Sequence, residues 1–220
     1  TMRYRYLLFD LDGTITDPKV GITTCVQYAL DSFGIHEPAL DKLEPFIGPP
    51  LKASFMDFYG FDDRQAQAAV EKYRERFSTV GLYENELYPG MDRLLRELRD
   101  GGARLAIASS KPTVFVRQIL EHFQIADCFQ VVVGSELSGA RVEKDEVVAE
   151  AVRQLLTRPE DKADTVMIGD RKFDILGGKS LGLHQIGVAY GYGQPGELEE
   201  ANAEVIVDTV EQLREVLLGQ

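Results

Sequence analysis

Features that would point to particular partners or cofactors are scarce in this sequence of 220 residues. Its two cysteines, Cys25 and Cys128, form no Cys-x-x-Cys pair and have no ligand spacing to the three histidines, so a zinc site is not expected. Basic residues are outnumbered, with 24 lysines and arginines against 36 acidic residues. The formal charge of −12 argues against nucleic-acid polymers and anionic membranes as partners, because both bind basic surfaces.

Long apolar stretches are absent as well. No run is long enough to cross a bilayer, and the opening residues Thr-Met-Arg-Tyr-Arg lack the apolar core of a signal peptide. We therefore expect a cytoplasmic protein. The hydrophobic share of 44% and the charged share of 27% are typical of a globular chain. The length fits one domain with an insertion or two small domains.

The sequence does contain short apolar runs that alternate with helical patterns. We predict strands from six runs, at residues 6–9, 104–108, 128–133, 165–168, 185–189 and 204–207. Alternating strands and helices predict an α/β fold with a parallel sheet. Only helical patterns occur at 17–85, so we predict an all-helical domain there, inserted into an α/β core of 1–16 and 86–220. The polar stretch from Thr16 to Val20 is predicted to be a flexible joint.

Two aspartates follow the first predicted strand. Asp10 and Asp12 face the same side of the chain because side chains alternate along a strand, and Gly13 permits a sharp turn after them. Neighbouring buried carboxylates repel each other unless a cation compensates, and oxygen ligands suit Mg²⁺. The alternative at this point is an ordinary strand that ends in an Asp-Gly turn.

Polar residues also follow two other predicted strands, where open α/β sheets bind their ligands. Ser109, Ser110 and Lys111 offer hydroxyl and ammonium groups at a helix start, which suits a phosphate oxygen. Asp170 comes directly after Gly169 at the end of strand 165–168. Each residue alone has an ordinary alternative as a helix cap or a turn residue. Their common position on one rim is the stronger signal.

Two further charged residues complete this rim. Asp174 lies four residues after Asp170, and Lys144 begins the helix that follows the third strand of the predicted core sheet. Lys144 is placed to balance the carboxylates, although a solvated surface charge is the ordinary alternative. Together the rim residues form one candidate site.

Four segments resemble, in order, the four motifs of the haloacid dehalogenase superfamily of phosphohydrolases: Asp10 to Thr14, Ser109, Lys144 and Gly169 to Asp174. The resemblance covers nearly the whole chain and implies a Rossmann-like core with an inserted helical cap. Within the superfamily the chain is most similar to the phosphoglycolate-phosphatase-like branch. Three stretches, at 12–18, 46–50 (Phe-Ile-Gly-Pro-Pro) and 187–193, resemble a group of bacterial 5′-nucleotidases.

The resemblance implies a mechanism and a set of site residues. Asp10 would attack phosphorus to form an aspartyl-phosphate, and Asp12 would act as general acid and then as general base. Mg²⁺ would bind Asp10, the main-chain carbonyl of Asp12 and Asp170, with Asp174 orienting these ligands. The residues implied to contact the substrate, besides the catalytic Lys144, are Ser109, Ser110, Gly13 and, in the cap, Phe46 and Gly48.

Several questions stay open. Arg141 is close enough to Lys144 in the sequence to be the basic residue instead. Phe46 is a candidate for stacking on a nucleobase, with simple packing as the alternative. We expect Mg²⁺-dependent hydrolysis of a small phosphorylated metabolite, with nucleoside 5′-monophosphates first, phosphoglycolate second and a phosphomutase reaction third. A silent binding protein is disfavoured because all four motifs are present. No oligomeric state is predicted.

Two other motifs are not predicted to bind nucleotides. Residues 191–196 match Gly-x-Gly-x-x-Gly, but Glu197, Glu199 and Glu200 follow where a pyrophosphate would need a helix N-terminus free of acids. Residues 178–180, Gly-Lys-Ser, resemble the end of a P-loop, but Phe173 occupies the place of its first glycine.

Overall fold

The computed structural model describes residues 2–219, which contain eight strands: Tyr6–Phe9 (β1), Thr16–Asp17 (β2), Glu86–Leu87 (β3), Arg104–Pro112 (β4), Val131–Ser135 (β5), Thr165–Gly169 (β6), His184–Val188 (β7) and Val205–Val207 (β8). Six of these strands form one sheet in the order β5-β4-β1-β6-β7-β8. All neighbours in that sheet are parallel. The predicted α/β class is therefore confirmed.

The same residues contain nine α-helices: Lys19–Asp31 (α1), Leu51–Tyr59 (α2), Asp63–Phe77 (α3), Met91–Asp100 (α4), Thr113–His122 (α5), Lys144–Leu155 (α6), Lys172–Ser180 (α7), Glu197–Glu200 (α8) and Val210–Leu218 (α9). Helices α5 to α8 connect successive strands from β4 to β8, as parallel pairing requires. Within residues 2–219, no helix combines the length and the apolar character needed to cross a membrane.

Strand β1 lies inside the sheet, between β4 and β6. Its residues are at most 4% exposed, as expected for a parallel strand covered on both faces. Phe9, its last residue, is in register with Ile107 of β4 and Ile168 of β6. The three strands are therefore level at this edge, and the residues that follow them meet on one rim.

The chain leaves and re-enters the core through a short antiparallel ribbon of β2 and β3. Helices α1 to α3 lie between these two strands in sequence. The stretch Thr16 to Val20, predicted as a flexible joint, contains β2 and the first two residues of α1. One apolar cluster joins core residues such as Leu7 and Phe115 to Ile22 and Phe77 of the helical segment. The helical segment is thus packed on the core.

One predicted strand is displaced and another is longer than predicted. The apolar run at 128–133 begins in a 3₁₀ turn, Ala126–Cys128, in which the Cys128 N–H donates to the Ile125 carbonyl at 3.0 Å. For this reason β5 starts only at Val131. Strand β4 continues past the predicted end at 108 to Pro112, with irregular pairing between Ala108 and Pro112. This irregular stretch is part of the rim.

Candidate active site

Asp10 stands directly after β1. Its backbone N–H donates to the Ile168 carbonyl of β6 at 2.9 Å, which continues the sheet pairing by one residue. The side chain is 4% exposed. Its Oδ1 accepts hydrogen bonds from the Leu11 N–H at 2.9 Å and from Lys144 Nζ at 3.0 Å. The carboxylate is therefore held in one orientation by the strand end and by a lysine of α6.

Asp12 lies on the same rim and pairs with a different lysine from the one that contacts Asp10. Its Oδ2 is 3.1 Å from Lys111 Nζ, and this ammonium group also sits 4.2 Å from the ring centroid of Phe77 in α3. The other oxygen, Oδ1, is buried and has no hydrogen-bond partner within residues 2–219. Asp12 thus presents an unpartnered carboxylate oxygen, which suits a proton-transfer role.

Three carboxylates converge at the ends of β1 and β6. Ligand oxygens of Asp10, Asp170 and Asp174 all lie within 4.8 Å of one another, and the three residues are buried. Asp170 accepts a hydrogen bond from the Tyr192 N–H at 2.8 Å. Asp174 lies 2.9 Å from Lys144 Nζ. Lys144 therefore contacts two of the three acids.

This cluster is electrostatically unfavourable by itself. Burial, together with the charge of Asp174, raises the pKa of Asp10 to about 7 although Lys144 opposes the shift. Burial and repulsion by Asp10 and Asp174 also raise the pKa of Asp170 well above its usual range. Burial lowers the pKa of Lys144, but the two acids beside it outweigh burial and raise it overall. A hard divalent cation would supply the missing positive charge, so the donor set fits one.

Two glycines leave the space that Asp170 occupies. A Cβ atom on Gly13, where φ is +81°, would lie 2.0 Å from Asp170 Oδ2. A Cβ atom on Gly191 would lie 2.3 Å from the Cβ of Asp170. Gly13 was predicted to bind substrate. In the structure its visible role is to let the loop after β1 approach Asp170.

Ser109 and Ser110 occupy the irregular end of β4. The Ser109 Oγ accepts a hydrogen bond from the Lys111 N–H at 3.1 Å, so this hydroxyl also shapes the turn. The Ser110 carbonyl accepts from the Ser135 Oγ at 2.7 Å. Both serines are buried on the same rim as Asp10. Phosphate binding by either hydroxyl remains a prediction.

A cavity of about 450 Å³ lies between this rim and the helical segment. The core contributes Asp12, Ser110 and Lys111 to its lining, and the helical segment contributes Met56, Tyr73 and Phe77. The volume falls within the range of roughly 300–1,000 Å³ that is common for small-molecule sites. The candidate site is thus a cleft with Asp12 and Lys111 on one side and aromatic rings on the other.

Phe46 and Gly48 also line this cavity. Phe46 is only 2% exposed, and its ring packs edge-on against Phe55 and Phe58 at centroid distances of 5.1 and 5.3 Å. Packing is therefore its visible role, and contact with a nucleobase stays a prediction. Gly48 has φ of +116° and lies against the side chain of Arg171.

The structure decides one open question and adds residues that were not predicted from the sequence. Lys144, and not Arg141, contacts Asp10, whereas the Arg141 guanidinium donates to the Gly134 carbonyl at 3.1 Å. Arg171 and Glu197 form a buried pair beside the site at 2.9 Å. The two residues are 26 positions apart in the sequence, and no spacing rule predicts that they pair. The one signal in the sequence is that Arg171 and Glu197 carry opposite charges and that each lies in or next to a motif.

Comparisons with known proteins show the family of the chain. The model of the haloacid dehalogenase-like hydrolase family matches residues 7–188. A 5′-nucleotidase of Pseudomonas aeruginosa is 46% identical over 98% of this chain and 96% of its own length. The tyrosine-protein kinase PtkA of Mycobacterium tuberculosis is 36% identical over 96% of this chain and 72% of its own length.

A solved structure gives the same answer for the fold. The crystal structure of "a predicted phosphatase" from Clostridium acetobutylicum is 45% identical and superposes with a TM-score of 0.94 over 99% of both chains. The resemblance drawn from the four sequence motifs is therefore confirmed. This chain belongs to the haloacid dehalogenase-like hydrolase family.

Proposed function

We propose that this protein is a Mg²⁺-dependent phosphomonoesterase that acts through an aspartyl-phosphate on a small phosphorylated metabolite, with nucleoside 5′-monophosphates as the first candidates. The observation that carries the proposal is the buried cluster of Asp10, Asp170 and Asp174. Within residues 2–219, Lys144 is the one lysine that contacts this cluster. The sequence identity of 46% to a 5′-nucleotidase of Pseudomonas aeruginosa supports the choice of substrate.

Two reaction steps are assigned to Asp10 and Asp12. The Asp10 carboxylate attacks phosphorus, and the bond to the ester oxygen breaks as Asp12 gives that oxygen a proton. In the second step Asp12 takes a proton from water while the water oxygen attacks phosphorus, and the bond from phosphorus to Asp10 breaks. Phosphate leaves and both aspartates return to their starting states.

Mg²⁺ would be held by Asp10, the main-chain carbonyl of Asp12 and Asp170, and would supply positive charge next to the transferring phosphoryl group. Asp174 keeps an orienting role, because one oxygen accepts from the Arg171 N–H at 3.1 Å and the other contacts Lys144. Lys144 stabilises the phosphoryl oxygens together with Ser109.

The name of the Mycobacterium relative supports a second candidate, in which the phosphoryl group passes to a tyrosine hydroxyl and not to water. Phosphoglycolate hydrolysis and a phosphomutase reaction are the third and fourth candidates. A mutase would have to shield the phospho-enzyme from water while its intermediate turns round in the site. The cavity volume of about 450 Å³ lies within the range of small-molecule sites and is compatible with a nucleotide.

The test is phosphate release from nucleoside 5′-monophosphates, 2-phosphoglycolate and sugar phosphates, with Mg²⁺ and with EDTA, beside Asp10→Asn. We expect Mg²⁺-dependent release from a nucleotide that the variant lacks. Two further reactions separate the rivals: ATP with a tyrosine peptide for the kinase, and a sugar phosphate with and without a bisphosphate activator for the mutase. Phosphopeptide formation without phosphate release, or activity only with the activator, would contradict the proposal.

A further inference from the structure

The side chain of Arg171 connects the sheet rim to the helical segment. Its Nη1 donates to the carbonyl oxygens of Ile47 at 2.7 Å and Pro45 at 3.2 Å. Both carbonyls belong to residues 45–50, which we call the cap loop. Phe46, Gly48 and both prolines at its end line the cavity. Arg171 thus contacts the backbone of a loop that forms part of the cavity wall.

Glu197 holds the guanidinium from the opposite side. Arg171 Nε donates to its Oε2 at 2.9 Å and Nη2 to its Oε1 at 3.3 Å. The same carboxylate accepts from the backbone N–H groups of Lys172 at 2.8 Å and Gln194 at 3.3 Å. The two side chains are 6% and 7% exposed. A buried two-point pair with this many partners keeps the guanidinium in one place.

The cap loop is shaped to receive this arginine. Gly48 has φ of +116°, and a Cβ atom there would lie 2.9 Å from the Cγ of Arg171. A side chain at this position would therefore move the loop or the arginine. The close approach is built from both partners, a glycine in the loop and a fixed arginine in the core.

The backbone of Arg171 belongs to the acid cluster. It follows Asp170 directly in the chain, and its N–H donates to Asp174 Oδ2 at 3.1 Å. One residue therefore joins the cluster, through its backbone, to the cap loop, through its side chain. A shift of the loop away from the cavity would require the loss of both carbonyl contacts.

We propose that Arg171, oriented by Glu197, is a positioning residue that fixes the cap loop over the cavity and makes hydrolysis selective for substrates whose leaving group reaches this loop. The proposal rests on the proposed function, because the selectivity is between phosphomonoesters. Arg171 acts on the substrate through the loop and does not take part in the chemical steps. Removing it should therefore impair binding of a nucleotide more than the reaction of a compact, activated ester.

The experiment compares a nucleoside 5′-monophosphate with p-nitrophenyl phosphate, whose small leaving group departs readily. The variants are Arg171→Met, Glu197→Gln and Gly48→Ala, which disturb the contact from three sides. Arg214→Met is the control, because it breaks another Arg–Glu pair at 2.8 Å, with Glu97 in α4, which is more exposed and does not line the cavity. KM, kcat and the melting temperature are measured for each protein with Mg²⁺.

We expect the KM for the nucleotide to rise about tenfold or more in Arg171→Met, with kcat/KM for p-nitrophenyl phosphate changed less than about threefold. Glu197→Gln and Gly48→Ala should shift the selectivity in the same direction, and Arg214→Met should not. An equal loss for both esters in all three variants would show a merely structural role and overturn the proposal. An unchanged nucleotide KM would also overturn it.

A second measurement needs no substrate. Amide hydrogen exchange at Phe46, Ile47, Gly48 and Leu51 should be faster in Glu197→Gln than in the parent protein, because the loop loses its fixed anchor. Unchanged exchange would overturn the proposal even if the parent protein hydrolysed neither ester. A parent protein that hydrolysed neither ester would contradict the proposed function, whereas unchanged exchange would contradict the role of Arg171. The failure of one proposal is therefore distinguishable from the failure of the other.

Discussion

At the scale of single residues, the chemistry depends on acids that are buried closer together than their charges favour. Asp10, Asp170 and Asp174 share one space, and Lys144 offsets only part of their charge. Binding of either protons or a cation at this cluster would therefore relieve the repulsion between the carboxylates in the folded protein. Two predictions follow from this balance, one for pH and one for the lysine.

The stabilising effect of Mg²⁺ should grow with pH. The pKa of Asp10 is raised from 3.8 to about 7, so the unfolded chain releases this proton at lower pH than the folded protein does. The contribution of this group to metal-free stability is complete below pH 3.8 and is lost as the pH rises through about 7. Binding of Mg²⁺ to the ionised cluster reverses the loss.

Thermal unfolding with Mg²⁺ and with EDTA measures this effect. We expect Mg²⁺ to raise the melting temperature more at about pH 8 than at about pH 5, by about 2–4 °C for each kcal/mol of difference. Asp10→Asn is the control, because it removes one of the titrating carboxyl groups and should reduce the pH dependence. Equal Mg²⁺ effects at both pH values would contradict the prediction.

Lys144→Met should lower both activity and stability. The variant leaves Asp10 and Asp174 buried without their cation, which costs about 3–5 kcal/mol in comparable buried pairs. Loss of a charge that stabilises the transferring group reduces kcat by about 10²–10³. Adding Asp174→Asn to the variant should restore part of the stability in urea unfolding and none of the activity. A single variant that keeps more than about a tenth of kcat would contradict the assigned role.

At the scale of elements, the loop after β7 joins the acid cluster to the ribbon. The Tyr192 N–H donates to Asp170, and its hydroxyl donates to Asp17 in β2. The Tyr190 hydroxyl donates to the Thr14 carbonyl at 2.6 Å. These tyrosines lie in and beside the Gly-x-Gly-x-x-Gly stretch, which is not predicted to bind a nucleotide. In the structure the loop instead supports a candidate metal ligand and the strand that leads into the helical segment.

Gly191→Ala should weaken the metal site through this loop. Its new Cβ would meet both Asp170 Cβ and the Gly13 carbonyl at 2.3 Å, so backbone has to move. We expect a stability loss of about 1–3 kcal/mol in urea unfolding. The Mg²⁺ concentration for half-maximal activity should rise about tenfold or more, since supporting contacts of metal ligands have effects of this size.

Gly60→Ala serves as the control for this substitution. Gly60 has φ of +67° with open space around it, so alanine there introduces only backbone strain of about 1–2 kcal/mol. Its Mg²⁺ dependence should match that of the parent protein. A Gly191→Ala variant with an unchanged Mg²⁺ requirement would show that the loop does not support Asp170.

At the scale of the whole molecule, the helical segment and the core share one apolar cluster. The cluster joins Ile22, Phe55 and Phe77 to residues of the central sheet and of α5 and α9. The charge of −12 is also a property of the whole chain, and an anionic substrate has to reach the rim against it. Lys111 and Lys144 counter this charge locally, and their side chains are 7% and 6% exposed.

We predict that the chain unfolds in one cooperative transition. Separating the helical segment from the core would expose the shared cluster, so neither part should survive the loss of the other. Scanning calorimetry with Mg²⁺ should give a calorimetric enthalpy equal to the van't Hoff enthalpy. Two resolved transitions would show that 17–85 is an independent domain and would contradict the prediction.

The sequence by itself determined the fold class and the rim. Short apolar runs that alternate with helical patterns predict a covered parallel sheet, and polar residues directly after such runs lie at its carboxyl edge. Asp10 and Asp170 were located in this way, because each lies one or two residues from a strand end and the chain allows little freedom over that distance. The start of α3 also depends on a contact between near neighbours in the chain, because the Asp62 side chain accepts from the Gln65 N–H at 2.8 Å.

Only the tertiary structure decided which charges meet. Arg171 contacts carbonyl groups 124 and 126 residues away in sequence, and Lys144 reaches Asp10 across 134 residues. Such contacts depend on how helices and loops settle against the sheet, to within about an ångström, and hydrogen bonds tolerate little more error than that. Apolar periodicity specifies which face is buried and leaves side-chain partners across the fold unspecified. Packing of the whole chain therefore decided the arginine contact with the cap loop and the choice of Lys144 over Arg141.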